Sequence, residues 1–171
     1  IYAWLMQDIG DYSLFITTFK TRVKDIFIQD WSNCISSSEH LSMYSAFKSL
    51  FQSEKYLASI EVSNLRRALT KFRCCNSFKM NRFTSKKADF PDTLCEYCMK
   101  DDENEYHVLL ICPAYHEFRL RYLPPYYYTY PSIHKFISLV NTQNGELLFK
   151  LSLFCEKVFK LRTVTTTSAL K

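Results

Sequence analysis

Apolar side chains recur at helical spacing through the first part of the chain. Between residues 14 and 31 they return every three or four positions, which predicts an amphipathic helix whose apolar stripe faces a core. A run of serines, Ser36 to Ser38, interrupts the repeat, and we expect Ser38 to be the N-cap of the next helix. The stripe consists of Leu14, Phe15, Phe19, Val23, Ile26, Phe27 and Trp31.

Three shorter repeats follow before residue 74 and predict three more helices. Ser63 or Asn64 is suited to cap the third of them. After this helix, residues 74–93 lack periodicity, and we expect a loop. The apolar positions of the three repeats are Leu41, Tyr44, Phe47, Leu50 and Phe51, then Tyr56, Leu57 and Ile60, then Leu65, Leu69 and Phe72.

The second half of the chain predicts four helices, at about 103–111, 113–123, 132–140 and 146–162. Pro113 is tolerated in a first helical turn, whereas Pro124 and Pro125 end the helix before them. Residues 163–171 are polar and rich in threonine, and we expect a frayed tail there. The last helix has an expected buried face of Leu147, Leu148, Leu151, Phe154, Val158 and Leu161.

Glycine is scarce, with only two residues in 171, and this supports a helical chain. Tight hairpin turns and the loops that hold nucleotide phosphates both need glycine, so an all-β fold and a glycine-rich nucleotide site are disfavoured. The predicted fold class is mostly α, a helical bundle-like domain with a small embedded zinc knuckle. We expect four segments: helices over 1–62, a basic helix and loop over 63–93, the zinc knuckle with its helix over 94–123, and C-terminal helices with a tail over 124–171.

The sequence shows no segment typical of membrane insertion or export. The longest apolar runs, such as Ile1 to Met6 and Val108 to Cys112, are far shorter than the roughly 20 residues of a membrane-spanning helix. Because residue 1 is Ile and no signal pattern follows it, we expect a fragment of a longer protein. The seven cysteines form no regular disulfide framework, which predicts a reducing, intracellular compartment. Cys34 and Cys155 are expected to be buried in helices.

Charge is segregated along the chain. Residues 63–88 contain eight basic residues and no acidic residue, and residues 118–171 contain eight basic and two acidic residues. Such a basic tract is typical of contact with a polyanion, although a solvated helix face gives the same pattern. The candidate nucleic-acid-binding residues are Arg66, Arg67, Lys71, Arg73, Lys79, Arg82, Lys86 and Lys87.

Cysteine and histidine spacing predicts a zinc site. Cys95 and Cys98 are three apart, a spacing that allows both thiolates to bind one ion from a tight turn, and His107 and Cys112 follow across a short predicted helix. Three thiolates and one imidazole are a common tetrahedral zinc set, and four protein ligands leave no position for a reacting water. The site is therefore expected to be structural. His116, four residues after Cys112, is an alternative to His107 as the fourth ligand.

Nothing in the sequence predicts an active site. Asp101 and Asp102 are adjacent, as in polymerase metal sites, but polar residues flank them where apolar strand residues are needed. A solvated helix start explains them better, and no nucleophile–base arrangement is visible. We expect no enzymatic activity from this chain.

A series of short motifs occurs in order between residues 31 and 163. They are Trp31, Leu41-x2-Tyr44-x2-Phe47-Lys48-x2-Phe51, Glu54-x-Tyr56-Leu57, Leu69 to Arg73, Cys95-x2-Cys98, Asp102-x2-Glu105-x-His107, Cys112-Pro113-x-Tyr115, Arg119, Pro131, Phe136 and Arg162. In this order they resemble the C-terminal region of reverse transcriptases from non-LTR (long interspersed element-type) retrotransposons. The ordered cysteine–histidine set is the most specific part of the resemblance, and the polymerase palm is missing.

This resemblance implies a zinc module that follows the polymerase domains of its parent protein and holds template RNA or target DNA. It also implies that Cys95, Cys98, His107 and Cys112 bind the zinc, and that the partners are nucleic acid and the upstream reverse transcriptase domains in a nuclear or cytoplasmic ribonucleoprotein. Aromatic residues such as Phe83 and Tyr126 to Tyr130 are candidates for stacking on unpaired bases. The alternative function is a zinc-stapled scaffold domain that binds protein and has no affinity for nucleic acid.

Overall fold

The computed structural model describes residues 12–38, 41–74 and 94–168 and is mostly helical, which confirms the predicted fold class. The chain divides into two units, residues 1–38 and 39–171. Within the described residues the extended structure amounts to one isolated antiparallel bridge between Leu94 and Asp102. Four of the candidate basic residues lie outside the described residues: Lys79, Arg82, Lys86 and Lys87.

The described part of the first unit is one helix, α1 (Tyr12–Ser37), which ends at the serine run as predicted. The expectation that its apolar stripe is buried is wrong for most positions, because no second helix in the described part of this unit packs on it. Cys34 is likewise exposed, not buried as expected, whereas Ile35 is buried. The exposed stripe residues are Leu14, Phe19, Val23, Ile26 and Phe27.

The second unit begins with three helices, α2 (Ser42–Phe47), α3 (Tyr56–Ser59) and α4 (Ser63–Cys74). Leu41, not Ser38, is the N-cap of α2, so the predicted cap is wrong. Helix α2 also ends before Leu50, because the backbone turns extended at Lys48. The Lys48 ammonium holds this non-helical connection by donating to the Gln52 carbonyl at 2.7 Å and pairing with Glu54 at 2.5 Å.

After residue 115 the chain forms four helices: α5 (His116–Tyr122), α6 (Pro125–Tyr128), α7 (Ile133–Val140) and α8 (Gly145–Ser168). Ser132 caps α7 by accepting a hydrogen bond from the Lys135 amide at 3.3 Å. Helix α8 continues six residues past its predicted end at Arg162, since no glycine or proline interrupts residues 163–168.

Helix α8 is the centre of the core in the second unit and packs against α4 and α5. Its predicted apolar face is buried at Leu148, Leu151, Phe154 and Val158, and the expectation for Cys155 is confirmed. The apolar side of α4 is buried as predicted, at Leu65, Leu69 and Phe72. None of the helices in the described residues combines the length and the apolar character that a transmembrane span requires.

Candidate metal centre

A tight turn presents Cys95 and Cys98. The Met99 amide donates to the Cys95 carbonyl at 2.9 Å, and the Cys95 amide donates to the Asp101 carbonyl at 2.9 Å. Met99 closes the turn with a φ of 54°, in the left-handed region that non-glycine residues rarely adopt. These bonds reverse the chain so that both thiols lie on the same side of the turn.

A π-helical segment, His107–Ile111, presents the other two groups. The Cys112 amide donates to the His107 carbonyl at 2.7 Å, an i to i+5 hydrogen bond. In a regular α-helix, residues five apart differ by about 140° around the axis, so their side chains diverge. The wider π turn instead lets His107 and Cys112 face the same point. Asn104 starts this segment by accepting a hydrogen bond from the His107 amide at 2.8 Å.

The four predicted ligands converge in space. One ligand atom from each of Cys95, Cys98, His107 and Cys112 lies within 4.8 Å of the other three. The Cys95 and Cys112 sulfurs are 3.8 Å apart, and the Cys98 sulfur is 3.4 Å from His107 Nε2. A tetrahedral zinc ion requires edges of about 3.8 Å between two sulfurs and about 3.5 Å between sulfur and nitrogen. Two measured edges therefore fit zinc.

The surroundings of the second ring nitrogen of His107, Nδ1, are consistent with metal binding through Nε2. The ring is buried, and Nδ1 has no hydrogen-bond partner, although the Asp101 carboxylate oxygen Oδ2 lies 3.7 Å away. A metal-binding histidine usually donates its other N–H to such a carboxylate. With Nε2 facing Cys98, Nδ1 is the nitrogen that carries the proton when the ring binds a metal.

The Cys95 and Cys112 sulfurs interact with each other. The hydrogen bond to Cys112, together with burial, raises the pKa of Cys95 to about 12. The same hydrogen bond lowers the pKa of Cys112. The Tyr97 and Cys98 amides bond to the Cys95 sulfur, and the Ala114 amide bonds to the Cys112 sulfur. Amide N–H groups directed at sulfur stabilise thiolates, which are the form that binds zinc.

Arg119, from α5, holds the end of the π-helical segment. Its buried guanidinium donates to the carbonyls of Val108 at 3.4 Å and Ile111 at 3.3 Å, and also to the carbonyl of Cys112. The segment ends there and leaves carbonyls without a partner inside it, although the Cys112 carbonyl also accepts from the Tyr115 amide at 3.2 Å. Arg119 therefore fixes the backbone that carries two of the ligands. It is part of the family resemblance, but the sequence alone assigned it no role.

Glu103 connects the loop at residues 94–104 to α8 through an ion pair. The sequence predicted that a helix begins at about Glu103, but Glu103 lies before the helix, is fully buried and pairs with Arg162. The helix begins later, at Glu105. The Glu103 carboxylate also accepts from the Cys95 thiol at 3.5 Å, so the ion pair touches the cluster. Burial lowers the pKa of Arg162, but the hydrogen bond and charge of Glu103 raise it above its ordinary value.

The alternative ligand His116 lies outside the cluster. It is the exposed first residue of α5, and its ring packs edge-on against Tyr128 with centroids 6.3 Å apart. The geometry therefore favours His107, the ligand preferred from the sequence, over His116.

The basic residues predicted for nucleic-acid contact separate into two groups on α4. Arg67 and Lys71 are exposed, and the Lys71 ammonium lies 4.6 Å from the ring centroid of Phe159. Arg66 donates to the carbonyls of Leu57 and Ile60 at 3.3 and 3.2 Å.

Arg73 does not lie on the surface, in contrast to its predicted role. Only 4% of it is exposed, and its guanidinium donates to the Val140 carbonyl and to Glu54 at 2.9 Å. The rings of Phe47 and Tyr56 also face it, at 4.7 and 5.2 Å from their centroids. In this conformation Arg73 stabilises the core and is not accessible to a phosphate.

Comparison of the chain with protein-family models, curated proteins and solved structures found no match.

Proposed function

We propose that this chain is a zinc-stabilised helical module that binds nucleic acid and belongs to the C-terminal region of a non-LTR retrotransposon reverse transcriptase. The convergence of three thiols and one imidazole within 4.8 Å is the observation that carries the proposal. Zinc is the ion that suits this donor set, and Cys95, Cys98, His107 and Cys112 hold it. When bound, the ion crosslinks the Cys95–Cys98 turn to the π-helical segment and performs no reaction.

A role for zinc in folding is supported by the composition of the loop at residues 94–104, which contains few apolar residues of its own. Structural zinc contributes roughly 10–16 kcal/mol of apparent folding free energy in small zinc domains. Much of residues 94–104 is exposed or half-buried, so the loop depends on the metal and on the Glu103–Arg162 ion pair. The metal thereby holds the loop against α8.

Charge supports nucleic acid as the partner. Residues 63–88 carry eight basic residues without an acid, and Arg67 and Lys71 present two of those charges to solvent from one helix. Lysine and arginine contacts to phosphates release counterions, so binding weakens steeply with salt. The resemblance to a reverse transcriptase C-terminal region adds support for template RNA or target DNA as the ligand.

One observation favours the second candidate, a scaffold domain without affinity for nucleic acid. Arg73 and Arg66 belong to the same basic tract, yet both donate to groups within the fold. If the remaining basic residues also serve the fold or pair with acidic protein surfaces, the tract does not bind phosphates. The domain then binds the upstream polymerase domains of its parent protein instead.

Metal analysis and a salt titration of the full chain test the proposal together. We expect about one zinc per chain in the wild type and in Cys34→Ser, whose exposed cysteine lies outside the cluster. Cys95→Ser and His107→Ala should lose the zinc, whereas His116→Ala should retain it. Wild-type protein without zinc would contradict the metal assignment.

RNA binding distinguishes the two candidate functions. If about five basic residues contact single-stranded phosphates, the logarithm of the affinity falls with the logarithm of salt concentration at a slope of about −3.5. Arg67→Ala and Lys71→Ala should each reduce the steepness by about 0.7. A zinc-loaded protein that binds neither RNA nor DNA would support the scaffold function.

A further inference from the structure

The tyrosines around α6 divide into a half-buried pair and an exposed pair. Tyr127 and Tyr128 pack against the hydrophobic core of the second unit. Tyr126 and Tyr130 instead expose 65% and 79% of their surface. The half-buried pair anchors the turn on the core, and the two exposed rings project from this segment.

A lysine connects the two exposed tyrosines. The Lys135 ammonium lies 4.6 Å from the centroid of the Tyr126 ring and donates to the Tyr130 carbonyl at 2.9 Å. Ser132 caps the helix that carries Lys135 by accepting a hydrogen bond from its amide. Both contacts of the ammonium are to uncharged groups, so its positive charge remains available to a ligand. The result is a cation held between two exposed aromatic residues.

The surroundings match a polyanion with flat apolar groups. Residues 118–145 contain no acidic residue, and Arg121 is exposed on the preceding helix. Exposed aromatic rings stack on bases of any sequence, and lysine contacts the phosphates between them. A duplex hides its bases within the stack, so such a surface selects unpaired strands.

We propose that Tyr126, Tyr130 and Lys135 form a platform for single-stranded nucleic acid. The two rings stack on unpaired bases, and Lys135 contacts the adjoining phosphate. This platform deepens the proposed nucleic-acid function and rests on it. It is separate in sequence from the basic tract at residues 63–88.

The platform is tested by measuring how tightly the zinc-loaded full chain binds a labelled oligothymidylate of roughly 15 nucleotides. Fluorescence anisotropy reports the binding. We expect Tyr126→Ala and Tyr130→Ala each to weaken binding about tenfold. Tyr130→Phe retains a ring that stacks and should bind as the wild type does. Lys135→Ala should reduce the steepness of the salt dependence by about 0.7.

Phe149→Ala serves as a matched control, because Phe149 is an exposed aromatic residue on α8, away from this turn in sequence. It should leave oligothymidylate affinity unchanged, and all variants should keep their zinc. The affinity for the same strand annealed to its complement should not change with the tyrosine substitutions, because the bases of the duplex are already stacked.

Alanine variants that bind oligothymidylate within twofold of the wild type would overturn the platform. If the wild type still shows salt-dependent binding in that case, the proposed function stands without it. A wild-type protein that binds neither strand nor duplex would overturn both. Loss of binding to phosphatidylserine vesicles in the tyrosine variants, with oligothymidylate binding unchanged, would assign the surface to lipid and reject the proposal.

Discussion

Glu103 and Arg162 form a bidentate ion pair inside the second unit, across 59 positions of sequence. Glu103 Oε1 lies 2.6 Å from Arg162 Nη1, and Oε2 lies 3.0 Å from Nη2. The Tyr115 hydroxyl accepts a further hydrogen bond from Nη1 at 3.0 Å, and the Tyr97 ring faces the guanidinium at 5.3 Å. Because Glu103 also contacts the Cys95 thiol, this pair joins the candidate metal cluster to α8.

Removal of one partner of this pair should destabilise the protein strongly. Arg162→Met leaves the Glu103 carboxylate buried without its cation, and loss of one partner of a buried pair typically costs about 3–5 kcal/mol. Urea unfolding of the zinc-loaded protein measures the change in the free energy of unfolding. Lys160→Met, which breaks the partly exposed pair with Glu156 on the same helix, should change it by less than about 1 kcal/mol.

The double variant Glu103→Gln/Arg162→Met tests the physical cause. It removes both charges, so it should recover part of the stability lost in Arg162→Met. Equal losses in Arg162→Met and Lys160→Met would show that the buried pair contributes no more than a surface pair.

The ligand set could be predicted from the sequence, whereas its supports could not. Spacing alone identifies Cys95, Cys98 and Cys112, because zinc ligands cluster along the chain at characteristic intervals. The burial of Glu103 could not be predicted because its partner is 59 residues away and the local pattern carries no such information. One signal was present: Arg162 continues the spacing of four from the buried residues Phe154 and Val158, so it occupies a core position that demands a buried anion.

The prediction for the first helix failed in the opposite direction, because residues expected to be buried are exposed. Periodicity correctly predicted that α1 is helical, but it does not say what covers an apolar face. Leu14 and Phe27 follow the same spacing as the buried residues of α8, yet they are exposed. Burial depends on a partner element, and the spacing of apolar residues within one helix does not contain the partner.

Asp101 should strengthen zinc binding through His107. Its carboxylate lies 3.7 Å from the buried Nδ1, which has no other acceptor, and a small side-chain movement would make a hydrogen bond. Asp101→Asn should therefore weaken zinc affinity roughly tenfold to a hundredfold. Loss of a group that hydrogen-bonds to a metal-binding histidine typically has an effect of this size. Competition with a chromophoric chelator measures the affinity.

Asp102→Asn is the matched control for this test, since Asp102 is the neighbouring exposed acid. It removes the same charge from the loop. If both variants weaken zinc binding equally, the effect of Asp101 is general electrostatic attraction and not orientation of the imidazole.

Arg119 should be sensitive to replacement even by lysine. A single ammonium cannot reach the three carbonyls that the guanidinium fork satisfies at Val108, Ile111 and Cys112. A buried acceptor left without a donor costs about 1–3 kcal/mol, so Arg119→Lys should lower the free energy of unfolding by at least that amount. Arg121→Lys, exposed on the same helix, should have almost no effect. A fully stable Arg119→Lys protein would show that the π-helical segment holds its shape without this side chain.

Met99 should be replaceable with a gain in stability. Its φ of 54° is a left-handed conformation that disfavours most side chains, whereas asparagine tolerates it. The side chain is 52% exposed, so little packing is lost on substitution. Met99→Asn should raise the free energy of unfolding by about 0.5–1 kcal/mol, measured by urea titration with saturating zinc. Lys100→Asn, one residue later and also exposed, has no positive φ to relieve and should give no gain. If the two substitutions have the same effect, the turn between the Cys95–Cys98 pair and Asp101 is not strained at Met99, and the zinc ligands are held without that cost.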